Sequence, residues 1–257
     1  MRLKEVMDSA RRKVARANQH IAQLEAESRS LPQTLFDLKI EHRQVAPVLH
    51  PDRDLFRYVP KDDVPKYFGA IAGDAVNNLR ESLDYWMNSA IRCVGPSEKV
   101  HFPFTAKKDD LEKSRNFRQV EKLFPEVAEF ISDEIAPCRD ENTFVWAATS
   151  LCNDNKHNDF LPLTTTKKVQ GGHIMIGTNS WRECTYEGDA SQVQDFLDAP
   201  LGSMRVIDGR FRVSIELIFP PGAVFAGKSV VLTLQKMSEE VSSSLDLLEA
   251  FIKPYCK

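Results

Sequence analysis

The stretch Ala72-Gly73-Asp74-Ala75-Val76-Asn77-Asn78-Leu79-Arg80-Glu81-Ser82-Leu83-Asp84-Tyr85-Trp86-Met87-Asn88-Ser89-Ala90 is where the fold is decided. On a 100° wheel Ala72, Leu79, Leu83, Trp86 and Ala90 share one face, flanked by Ala75, Val76 and Met87. The helical period runs from Val64 to Val94, and Gly95-Pro96 stops it. A helix that long needs a partner, and the chain offers one upstream. Leu3, Val6, Ala10, Val14, Ala17, Ile21 and Leu24 recur at spacings of three and four, so residues 2–28 form a second helix about 40 Å long. The two are expected to pair as an antiparallel hairpin, within one chain or across a homodimer through the long helices. Arg11, Arg12, Lys13 and Arg16 crowd the polar side of the first helix. They read either as a solvated face or as a strip for phosphate or a partner.

Outward from this pair, Phe36, Leu38 and Ile40 alternate with charged residues and Asp54–Val59 is a matching strand, a short β-hairpin near 33–60. Shorter helices are expected at 107–115, 117–133 and 141–156. After residue 160 the character changes to strands at His173–Ile176, Glu183–Tyr186, Met204–Ile207 and Arg210–Phe219. The Asp208-Gly209 pair reads as a two-residue hairpin turn. Ser229–Leu234 reads as another strand and Ser238–Ile252 as a closing amphipathic helix. The expected class is α+β: a helical bundle over 1–160 and an antiparallel β-rich part over 161–257, packed as one unit.

The composition belongs to a folded chain, with 257 residues, 42% hydrophobic and 28% charged. A net charge of −3 sets up no global field for nucleic acid or anionic membrane. No apolar run reaches membrane-spanning length, so no membrane partner is expected. The N-terminus lacks the apolar core of a secretory signal, and Glu5 and Asp8 argue against a transit peptide. Five cysteines without a Cys-x-x-Cys pair read as reduced thiols of a cytoplasmic protein, with no metal and no cofactor. Gly222-Ala223-Val224-Phe225-Ala226-Gly227-Lys228-Ser229 fits the P-loop pattern in letters. The expectation is nonetheless a pair of turns, because Pro220-Pro221 precede it, strand-forming residues follow it, and fewer than 30 residues remain.

Two polar constellations stand out. Asn77, Arg80, Asp84 and Asn88 lie within about 80° on the wheel, and Arg80 and Asp84 are spaced to pair along the helix. The run Asn153-Asp154-Asn155-Lys156-His157-Asn158-Asp159 ends the helix whose inner face is Phe144, Ala148 and Leu151. Asn155 continues that inner face. The run lacks the glycine and late glutamate of a calcium loop, but its residue types suit a helix C-terminus. Cys152 stands close to His157 in sequence, which by itself makes no nucleophile.

The segment Gly73–Tyr85 resembles one in a family of uncharacterised bacterial proteins, with the pattern Gly-Asp-x-x-His-Asn-Leu-Arg-x-Ala-Leu-Asp-His. That family carries an Asp-Lys-His-Arg-like run after a later helix, matched by Asn155-Lys156-His157-Asn158, and Phe102-Pro103 also fits. The resemblance implies that Arg80, Asp84, Lys156 and His157 belong to one feature, without supplying an activity. The Arg-x4-His spacing of that family is in turn similar to HEPN ribonucleases, helical bundles in which paired Arg and His cut RNA without metal. Here Tyr85 and Asn77 replace the two histidines, and tyrosine is a poor base at neutral pH. The expected function is therefore a binding or interaction protein for an unknown ligand or protein partner. Its polar groove would centre on Arg80, Asp84 and His157, with Asn77, Asn155 and Lys156 beside them. A HEPN-like metal-independent ribonuclease acting on RNA, active or degenerate, of a toxin or defence system, with Arg80 and His157 as candidate catalytic residues, is the alternative.

Overall fold

The protein is an α+β chain, seen in a computed structural model that describes residues 3–29, 31, 35–43, 52–61, 65–95, 98–157 and 160–256. Its elements are α1 (Leu3–Arg29), β1 (Phe36–Arg43), β2 (Arg53–Pro60), α2 (Tyr67–Val94), α3 (Arg115–Leu123), α4 (Pro125–Phe130), α5 (Thr143–His157), β3 (Thr164–Ile176), β4 (Asn179–Asp189), β5 (Gln194–Pro200), β6 (Met204–Ile218) and α6 (Val230–Ile252). No described helix is long and apolar enough to cross a membrane. Asn158, Asp159, Pro96 and the start of the expected helix at Val64 lie outside the described residues.

The chain divides differently from the expected boundary near residue 160. One compact unit comprises residues 1–25, 66–163 and 219–257, the other 26–65 and 164–218. The first hairpin belongs with the later strands because β2 pairs antiparallel with β5 as well as with β1. The closing helix belongs with the early ones.

In the helical unit the apolar seam of α1 is buried from Val6 to Leu24. Its polar flanks bond to two neighbours. Lys13 meets Glu81 of α2 at 2.6 Å, while Arg11 meets Asp246 and Glu249 of α6 and Asn18 accepts from Ser238. The strip of basic residues on α1 is thus largely committed within the molecule, Arg12 pairing locally with Asp8. As the α1 position rises from 11 to 18 its α6 partner falls from 246 to 238, so those two helices run antiparallel. α2 packs closely on α5 and α6, with Leu79, Leu83, Trp86 and Ala90 fully buried. The expected 117–133 helix is broken at Pro125, which opens α4.

The expected strand at Ser229–Leu234 is instead the start of α6. Its β-branched residues favour a strand locally, but Val230, Leu234, Met237, Val241, Leu245, Leu248 and Ile252 form one fully buried helical stripe. Burial of that stripe outweighs propensity, which is worth only tenths of a kcal/mol per residue, about 0.7 at most. A helix therefore does follow the P-loop-like letters. The loop itself is folded on its own carbonyls: Ala223, Ala226, Gly227 and Lys228 donate to Pro220, Ala223, Phe219 and Phe225. Backbone N–H groups spent in this way cannot ring a phosphate.

The second unit contains two three-stranded antiparallel sheets, β1-β2-β5 and β4-β3-β6. They share a core of Phe56, Ile174, Ala199 and Met204, with Leu38, Ile40, Phe196 and Phe211 packed on it. The expected turn at Asp208-Gly209 is not a turn. It lies inside β6, which pairs with β3 along its whole length. Gly209 and Arg210 together face the single residue Gly172, a bulge in which two residues oppose one. The hairpin of this sheet is at Gly177-Thr178, where Gly177 has φ +58°.

Two buried charges hold the sheets. Lys167, 1% exposed, donates to the carbonyls of Asp189 and Gln192 and lies 4.3 Å over the Tyr58 ring. Burial pushes its ammonium below the usual lysine range. Asp54 accepts from the Gly202 N–H at 2.7 Å and the Met204 N–H at 3.3 Å and lies 2.6 Å from His42 Nδ1. Burial pushes its carboxyl up, but the His42 and backbone hydrogen bonds outweigh burial and hold it below the ordinary value. A lowered carboxylate stabilises the fold above its unfolded pKa, about 3.9, and loses that contribution as pH falls through the folded value. Chemical denaturation across pH 2–6 is expected to show wild-type stability falling below about pH 4, with a shallower acid slope in Asp54→Asn.

Candidate functional site

α2 presents a polar stripe beside its buried face, and the segment after it completes the site. Asn88 binds the backbone of Val100 twice, its Nδ2 donating to the carbonyl at 2.8 Å and its Oδ1 accepting from the N–H at 3.0 Å. Asp84 Oδ1 accepts from the Phe102 N–H at 2.8 Å. These contacts hold residues 99–102 extended along the helix. Alternation then buries Val100 and Phe102 completely and turns Lys99 and His101 outward.

The second oxygen of Asp84 faces the open side. Arg80 Nη1 donates to it at 2.8 Å, both side chains being largely buried, and His101 Nδ1 is 3.4 Å away. Around this centre lies a cleft of about 610 Å³. Arg80, Glu81, Asp84, Tyr85, Arg92, Glu98, Lys99 and His101 line it, together with Ser9, Asn88 and Ser89. Glu81 is held by Lys13, which also lies 5.4 Å from the Tyr85 ring centre. Arg92 and Lys99 have no ion-pair partner among the described residues, and neither has Glu98.

The residues singled out in the sequence fall in two places. Arg80 and Asp84 pair as their spacing predicts and line the cleft. Asn77 and Asn155 lie at the crossing of α2 and α5, where Asn77 accepts from the buried Cys152 thiol at 2.9 Å. A Cβ on Gly73 would come within 2.3 Å of Asn155 Oδ1, so the glycine admits the Asn155 amide. Lys156 and His157 are exposed on the last turn of α5 and do not line the cleft. Gly73, which marks that level on α2, is about 10 Å along the axis from Arg80. Of the expected centre, Arg80 and Asp84 line the cleft and His157 does not; the histidine beside Asp84 is His101. The alternating run Lys99-Val100-His101-Phe102 carried that information, but only the docking on α2 shows which face is inward.

The arrangement can do two things chemically. Two cations without an ion-pair partner among the described residues, beside a largely buried guanidinium and against the single carboxylate Glu98, suit an anionic group, with Tyr85, 46% exposed, offering an aromatic face. Asp84 on His101 Nδ1 favours the tautomer whose Nε2 accepts a proton, the geometry of a general base. No cluster of His, Cys, Asp and Glu among the described residues could hold a metal ion. No family model matches the chain, and no curated protein and no solved structure matches it.

Proposed function

We propose that this is a binding protein whose ligand site is the α2 cleft, and that its ligand carries a phosphate or carboxylate group. The reading is carried by Arg92 and Lys99, which have no ion-pair partner among the described residues and line one cleft with Arg80 and His101; of the carboxylates there, Asp84 is held by Arg80 and Glu81 by Lys13, leaving Glu98 against the two cations. The test is a thermal-shift and calorimetric panel of inorganic phosphate, citrate, nucleoside monophosphates and short RNA. A ligand at 100 times its Kd stabilises by about 2.7 kcal/mol, a rise in Tm of roughly 5–10 °C for a chain of this size. Arg92→Glu with Lys99→Glu is expected to abolish that rise while leaving the unliganded Tm within about 2 °C, since both residues are exposed. A panel member whose binding survives the double reversal would count against the site.

The pairing of Asp84 with His101 supports a second reading, a HEPN-like metal-independent ribonuclease in which His101 takes the role of the missing histidine. On that reading a defined RNA is cleaved in excess chelator, and Arg80→Ala and His101→Ala each abolish cleavage while His157→Ala does not. Absence of cleavage by wild type leaves the binding reading alone.

A further inference from the structure

Cys93 and Cys256 are distant in sequence, 163 positions apart, yet their sulfurs lie 3.4 Å from each other. Cys93 is in the last turn of α2 and Cys256 follows a short 3-10 turn after α6. Neither position is a chance approach of a loose end. The Cys256 N–H donates to the Lys253 carbonyl, and the adjacent Tyr255 ring packs on Phe124 and Phe251 with centroids 4.9 and 5.6 Å away. A disulfide needs about 2.05 Å between sulfurs, a little over 1 Å closer than the pair stands. Both residues are half-buried and so within reach of a small oxidant. The other three thiols differ: Cys138 and Cys152 are buried with Thr105 and Asn77 as partners, and Cys184 touches no second sulfur among the described residues.

We propose that Cys93 and Cys256 form a dithiol modification site that a hydroperoxide oxidises to a reversible disulfide. In the first step one thiol of the pair gives up its proton and its sulfur attacks the peroxide; the O–O bond breaks, that sulfur becomes a sulfenic acid, and the released hydroxide takes up the proton and leaves as water. In the second step the other sulfur attacks the sulfenic sulfur, the S–OH bond breaks, and the second thiol's proton leaves with the hydroxide as a second water.

The test is peroxide treatment of the full chain followed by intact mass and a non-reducing peptide map. The expected result is loss of two hydrogens, restored by dithiothreitol, with one peptide joining Cys93 to Cys256. Cys93→Ser and Cys256→Ser are each expected to form no linked peptide, with a sulfenic acid on the remaining cysteine trapped by dimedone. A map in which Cys184 is oxidised and no linked peptide forms overturns the site. The wild-type map decides the site even where a serine variant folds poorly.

Discussion

Gly172→Ala is expected to lower stability by about 2–5 kcal/mol, the sum of two costs that fall on the same methyl group. Gly172 has φ +74°, a conformation that costs an L-residue roughly 1–2 kcal/mol. Its added Cβ would also lie 2.1 Å from Cε1 of Phe211. That ring cannot swing away freely, because it packs on Phe56 at 5.0 Å inside the core shared by the two sheets. Overpacking of this kind costs roughly 1–3 kcal/mol. Gly177→Ala supplies the comparison, with φ +58° but no atom within 4 Å of its Cβ, so only the backbone cost of about 1 kcal/mol applies. Urea denaturation of both variants reads the difference. Equal losses in the two would show that the Phe211 ring accommodates the methyl group.

Asp84→Ala is expected to cost about 2–4 kcal/mol. The change leaves the Arg80 guanidinium without its partner in a largely buried place and strands the Phe102 N–H beneath it. Asp84→Asn keeps an acceptor for that N–H and is expected to cost less, about 1–2 kcal/mol. Arg80→Ala, which strands only the carboxylate, falls at about 1–3 kcal/mol. The three losses should order as Asp84→Ala, then the other two, in calorimetric Tm. A loss below about 0.5 kcal/mol for Asp84→Ala would mean that water replaces all its contacts and that residues 99–102 hold their place without it.

These expectations rest on features that the sequence showed unevenly. The seam of α1, the α2 face and the pairing of Arg80 with Asp84 were legible because each depends on neighbours three or four positions away. The β1–β2 pair was legible from alternation. What failed was what depends on distant chain. Arg53 of β2 bonds to Asp198 of β5 across 145 positions, and nothing local announces that partnership or the division it creates. Asp208-Gly209 has the composition of a turn, but β3 pairs across it and the flexibility of the glycine is used in a bulge. Val230–Leu234 has the composition of a strand, but buried neighbours on one helical stripe decide otherwise. His101 stands in a four-residue extended segment whose alternation does not say which face is inward, whereas His157 stands in a run that resembles a family pattern.

The discontinuous helical unit bears on how the chain is made. It takes its residues from 1–25, 66–163 and 219–257, while the β unit is complete once residue 218 is present. During synthesis from the N-terminus, α1 emerges first with its apolar seam, and α6, to which Arg11 and Asn18 bond, emerges last. The usual order, in which the N-terminal part folds as soon as it is complete, is reversed: the middle of the chain can settle while the first helix still waits for its partner. A nascent chain halted between residues 218 and 230 would thus present a finished β unit and an unfinished bundle. In that interval the α1 seam and the side of α2 that packs on α6 still lack their partner helix.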